Sequence, residues 1–134
     1  MLVPSIISAI ALFLCALIGL GALLAPRWAQ GVVRLQPDPS PGKEGGFSEF
    51  RATYGGLLFM VHMTALVILF AVPPAFAIFA LMPVAAGWFG AGIGRLLSYL
   101  VDTKANRGPG MMLVWIPMEL ALGLAIAAPV LQLG

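Results

Sequence analysis

The chain has 134 residues, 61% of them hydrophobic and 9% charged, with a formal net charge of +2. Soluble domains carry about 25% charged residues, so this composition excludes a folded surface facing water and makes lipid the main solvent. Seven basic residues, with no basic stripe and no interleaved aromatics, exclude a nucleic-acid interface.

A spanning helix needs about 20 mainly apolar residues, because ~30 Å of hydrocarbon is crossed at ~1.5 Å per residue. Four runs meet that length: 2–25, 52–72, 75–94 and 111–133. Each is continuously apolar rather than alternating, and lipid leaves an isolated run no choice but helix. The expected fold is therefore all-α: one polytopic domain over 1–134, a bundle of four transmembrane helices joined by cytoplasmic loops 26–51 and 95–110.

The first run opens without basic residues, is too long for a signal sequence and is followed by no A-x-A site, so it reads as a retained helix. Cys15 lies alone within it, which leaves no internal disulfide and no cysteine metal motif. Burial as a small apolar side chain is the expectation. Next, Arg27, Gln30 and Arg34 recur at helical spacing with Trp28, Val32 and Leu35 on other faces. That pattern predicts a short amphipathic helix in the headgroup layer. The proline- and glycine-rich stretch 37–46 forbids regular structure.

The second spanning helix is expected to start near Ser48 or Glu49, with Ser48 as a cap and Glu49 facing the helix N-terminus. It ends at the uncharged Pro73-Pro74 turn. The third helix contains Pro83, expected to kink it, and closes on Gly87, Gly90, Gly92 and Gly94. Gly90 and Gly94 have the GxxxG spacing that allows another helix to approach closely. Beyond Arg95, Leu96 to Val101 extend the helix along the interface until Asn106 and Gly108-Pro109-Gly110 break it. The fourth helix carries Pro117 and Glu119 and runs almost to the C-terminus.

Arg27, Arg34, Lys43 and Arg51 flank the first connection, and Arg95, Lys104 and Arg107 the third. Four spans place both connections on one side, which the positive-inside rule makes cytoplasmic. Both termini then face the periplasm. Tyr54, Trp28, Trp88 and Trp115 also gather toward the basic side, where aromatic anchors sit.

Ionisable groups inside a bilayer are costly and need partners. Glu119 lies about 12 Å inward from Met111. It either pairs with a base or carries a proton. Arg95, Arg51 and His62 are the bases within reach. On an ideal helix Arg51, Gly55, His62 and Leu66 share one face. A buried ion pair fixing the packing and a polar pocket for a ligand or proton are both compatible with this set. With a single histidine, bis-histidine haem ligation within the chain is excluded. A metal held by Glu49, His62 and Glu119 would need Glu49 to turn inward from ~160° away. No cofactor is expected. No Ser-His-Asp set, phosphate loop or redox cysteine pair is present, which points away from an enzyme.

The motif Glu49-x-Arg51-x-x-Tyr54-Gly55-Gly56, with Gly94-Arg95 closing the third helix and Glu119 in the fourth, resembles a domain-of-unknown-function family of small four-helix bacterial inner-membrane proteins. The resemblance covers nearly the whole chain, and the linker 37–46 is longer than the motif requires. It implies a bacterial inner-membrane location and one constellation of Glu49, Arg51, Tyr54, Gly55, Arg95 and Glu119, but no activity.

Two functions follow from the residues. One is an accessory or assembly subunit packing against a larger membrane complex, or a homo-oligomer, within the lipid bilayer. The other is a lipid- or small-molecule-binding protein, an acid–base isomerase or carrier, using Glu119, Arg51, Arg95 and His62.

Overall fold

A computed structural model describes residues 2–35, 40–41, 46–102 and 112–130, with Met112 described by its backbone alone. Among these residues all regular structure is helical: α1 (Leu2–Leu24), α2 (Pro26–Val33), α3 (Gly46–Ala71), α4 (Pro74–Val101) and α5 (Met112–Ala127). α1, α3 and α4 are long and apolar enough to cross a membrane, and α5 is a shorter apolar helix. Large apolar side chains such as Phe13, Val67, Phe70, Phe76 and Phe79 are exposed. That inverts the rule for a protein in water and suits one solvated by acyl chains.

Several boundaries differ from the sequence expectation. α3 begins at Gly46, so Ser48 and Glu49 stand inside the helix rather than capping it. Within α3, Phe50–Leu57 is π-helical, a rare, wider coil that is frequent at functional sites. Gly55 and Gly56 fall in this stretch, where their weak α preference offers little resistance.

α4 runs unbroken through Pro83 to Val101, so the extension expected beyond Arg95 over Leu96 to Val101 is present as helix. Its end is closed by Asp102, whose N–H donates to the Ser98 carbonyl at 2.9 Å. Ser98 Oγ in turn donates to Asp102 Oδ2 at 2.5 Å. α5 stops at Ala127 instead of continuing toward the C-terminus. Pro129, which has no N–H to continue the ladder, lies two residues on. Asn106 and residues 108–110 lie outside the described residues.

The chain divides into two compact units, residues 1–11 with 68–134 and residues 12–67. In the first, α5 packs on α4 at two glycines. A Cβ at Gly92 would stand 2.9 Å from Leu120 Cδ2, and one at Gly123 would stand 3.1 Å from the Ala85 carbonyl oxygen. Leu81, Ala85 and Ile126 are fully buried there. Buried Ser8 donates from Oγ to the Ile126 carbonyl at 2.9 Å. That carbonyl is in the last turn of α5, where helical donors run out.

Gly90 and Gly94 do not mediate this approach, and nothing described lies within 4 Å of a Cβ built at either. The reason is angular. At ~100° per residue both point nearly opposite to Gly92.

In the second unit α1 and α3 meet backbone to backbone. A Cβ at Gly19 would fall 2.5 Å from Phe59 N, and one at Gly55 would fall 2.7 Å from Leu23 Cα. The amphipathic helix expected after α1 is present as α2. Its Ala29 is buried with Ala22 of α1 and Phe50 of α3, and Val33 packs against them. Arg27 and Trp28 are exposed, with the Trp28 ring lying against Gly21 of α1. α2 ends at Arg34, in the left-handed region with φ 59°, where its N–H donates to the Gln30 carbonyl at 2.8 Å. Cys15 is buried, as its apolar surroundings predicted.

Candidate functional site

Glu119 is buried on α5, seven residues beyond Met112, and α4 brings Arg95 to it. Arg95 Nε donates to Glu119 Oε1 at 2.7 Å. Burial of the two partners is unequal: 4% of the carboxylate side chain is exposed against 39% of the arginine. The geometry follows from both helices. Gly92 lets α5 come close one turn before Arg95, and Arg95 then reaches across to the facing turn.

Trp115 precedes Glu119 by four residues, so both lie on one face of α5. The Arg95 guanidinium carbon stands 5.5 Å from the Trp115 ring centroid, within cation–π range. The cation is therefore held at Nε by the carboxylate and along its plane by the indole. Glu119 Oε2 is buried and has no hydrogen-bond partner among the described residues. Of the three candidate bases, Arg95 is the one whose contact with Glu119 is described.

The remaining sequence candidates lie together on α3. Arg51 Nη1 donates to the Leu23 carbonyl at 2.5 Å, one of the last carbonyls of α1, which have no helical donor. A cation at a helix C-terminus also meets the negative end of the helix dipole. Gly55, one turn on, makes room for Leu23. Arg51 and Gly55 thus act as one fitting on the end of α1.

Tyr54 lies against Phe50, with ring centroids 5.3 Å apart. His62 is buried, with Nδ1 2.7 Å from the Leu58 carbonyl one turn back. A carbonyl can only accept, so Nδ1 carries the hydrogen. Glu49 is exposed at the start of α3. The π-helical stretch contains Arg51 and ends before His62, so the ideal-helix projection that put them on one face does not apply.

Two cation–aromatic contacts are among those that escaped the sequence reading. Trp115 was seen only as an interfacial anchor, although its spacing from Glu119 carried the signal for a shared face. Arg27 stacks over Phe47 at 6.0 Å, and no local spacing links residues so far apart in sequence. Among the described residues no group of three or more His, Cys, Asp or Glu side chains could hold a metal. No protein-family model, curated protein or solved structure matches the chain.

Proposed function

We propose that this chain is a four-span bacterial inner-membrane protein, both termini periplasmic, serving as an accessory or assembly subunit of a larger membrane complex. The family resemblance at Glu49, Arg51, Tyr54, Gly55, Arg95 and Glu119 belongs to the same proposal. α5, about 24 Å long by its 16 residues, is taken as the fourth span. The basic residues of the two long connections support the orientation.

The observation that carries the role is the open face of α4. Gly87, Gly90 and Gly94 recur along one side, and no described atom lies within 4 Å of a Cβ at any of them. Elsewhere in the chain, at Gly19, Gly55, Gly92 and Gly123, glycine marks a close helix contact. Glycine lowers helix stability by about 1 kcal/mol per residue relative to alanine. In lipid, where packing drives association, a smooth glycine face favours a partner helix.

The test is native electrophoresis of gently extracted membranes, comparing wild type with the Gly90→Leu, Gly94→Leu double variant. The wild type should run within a larger assembly and the variant as a folded smaller species. A photo-crosslinker at Gly87 should join the chain to a different membrane protein. An adduct with a second copy of this chain, or an assembly indifferent to the double variant, would overturn the accessory role. A C-terminal reporter active only in the cytoplasm would overturn the orientation.

A further inference from the structure

We propose that Arg95, braced by Glu119 and Trp115, binds the phosphate group of a membrane phospholipid. This site is separate from the glycine face and does not depend on the accessory role.

The first support is unused hydrogen-bonding capacity. A guanidinium carries five N–H donors, and Glu119 takes the one on Nε. The four on Nη1 and Nη2 meet no hydrogen-bond acceptor among the described residues. At 39% exposure the side chain is open to its surroundings. Hydrocarbon offers those donors nothing, and leaving them unmet is costly.

The second support is depth. Arg95 follows Pro74 by 21 residues in one continuous helix, which is about 31 Å of rise. A hydrocarbon core is ~30 Å thick. A span entering near the Pro73-Pro74 turn therefore carries Arg95 into the opposite half of the membrane, and from there its long side chain can extend toward the phosphate layer.

The third support is preorganisation. Holding Nε on a buried carboxylate and the guanidinium plane beside an indole fixes the direction of the Nη fork before any ligand arrives. A forked, planar donor matches two oxygens of a phosphate, and prior ordering lowers the entropy lost on binding.

Glu119 offsets much of the positive charge, so affinity comes from the paired hydrogen bonds more than from net attraction. Zwitterionic and anionic phospholipids should consequently bind alike. The shared chemistry is a phosphate oxyanion, which a lipid or a free phosphate ion could supply. A position on a membrane-crossing helix favours the lipid.

The experiment is native mass spectrometry of the full chain in detergent, titrated separately with phosphatidylglycerol, phosphatidylethanolamine, phosphate-free diacylglycerol and inorganic phosphate. Wild type should retain one molecule of either phospholipid above the unspecific background, and no diacylglycerol. Arg95→Lys keeps the charge but not the fork, and should weaken retention about tenfold, the loss of one charge-assisted hydrogen bond. The Arg95→Gln, Glu119→Gln double variant strands no charge and should lose retention while keeping its helical circular dichroism.

Equal binding of diacylglycerol, or lipid retention within twofold of wild type in the double variant, would overturn the site. Displacement of lipid by an equal concentration of inorganic phosphate would overturn the lipid assignment. If the double variant fails to fold, Arg95→Lys decides alone, and unchanged retention sinks the proposal.

Discussion

Two helix contacts in this chain are made by different means. α1 meets α3 at Gly19 and Gly55, where backbone touches backbone, and Arg51 adds a polar link on a spent helix carbonyl. α4 meets α5 at Gly92 and Gly123 as well, but a buried carboxylate and an arginine are set into the seam. The first contact depends on the absence of side chains. The second depends on two side chains that cannot do without each other. In a lipid solvent both work, because association there rests on close packing and satisfied polar groups rather than on escape from water. They differ in how they fail.

The largest effect is expected at the charged seam. Arg95→Gln leaves Glu119 buried without its cation and should destabilise the fold by about 3 kcal/mol, the low end for a broken buried pair, because Arg95 is partly exposed. Thermal melts in lipid discs measure this. Adding Glu119→Gln to the same variant should restore most of the loss, since two neutral amides strand no charge. A double variant as unstable as the single one would show that the pair is not a mutually dependent unit.

Next comes the backbone seam. Gly55→Leu sets a side chain where Leu23 Cα would be 2.7 Å away, and backbone cannot step aside. A loss of about 2 kcal/mol is expected, and a second-site change on α3 cannot rescue it. Ser8→Ala removes the donor to the Ile126 carbonyl and should cost about 1 kcal/mol, seen as faster amide exchange at the end of α5. The smallest effect belongs to Gly90→Leu. Its side chain meets open space in the described structure, so removing the glycine should raise stability in the melt by less than about 1 kcal/mol. A large shift would place that face inside the folded chain and remove its availability to a partner.

The contrast also explains which features were readable in the sequence. Long apolar runs admit only helix in a bilayer, so α1, α3 and α4 were legible from composition and length alone. The partner of Glu119 was legible as one of three bases, because a buried acid needs one, but the choice of Arg95 depends on how α4 and α5 face each other. GxxxG spacing pointed at Gly90 and Gly94 while the contact formed at Gly92, since all faces of a glycine-rich segment look equally smooth before a partner is known. Pro129 was a readable stop signal that the apolar run around it obscured. The bond from Ser8 to Ile126 spans nearly the whole chain, and local pattern carries no trace of it. The π-helical start of α3 was hidden because it leaves composition unchanged.

That wide-coiled stretch, Phe50–Leu57, sets the bearing of everything before it. Excising one of its residues would tighten the coil and swing the arm carrying Phe47 and Glu49 around by roughly 100°, with Arg51 likewise displaced from the end of α1. A chain shortened there by a single codon would keep its composition, hydropathy and every named side chain outside the excision. It would lose the fitting between α1 and α3 all the same.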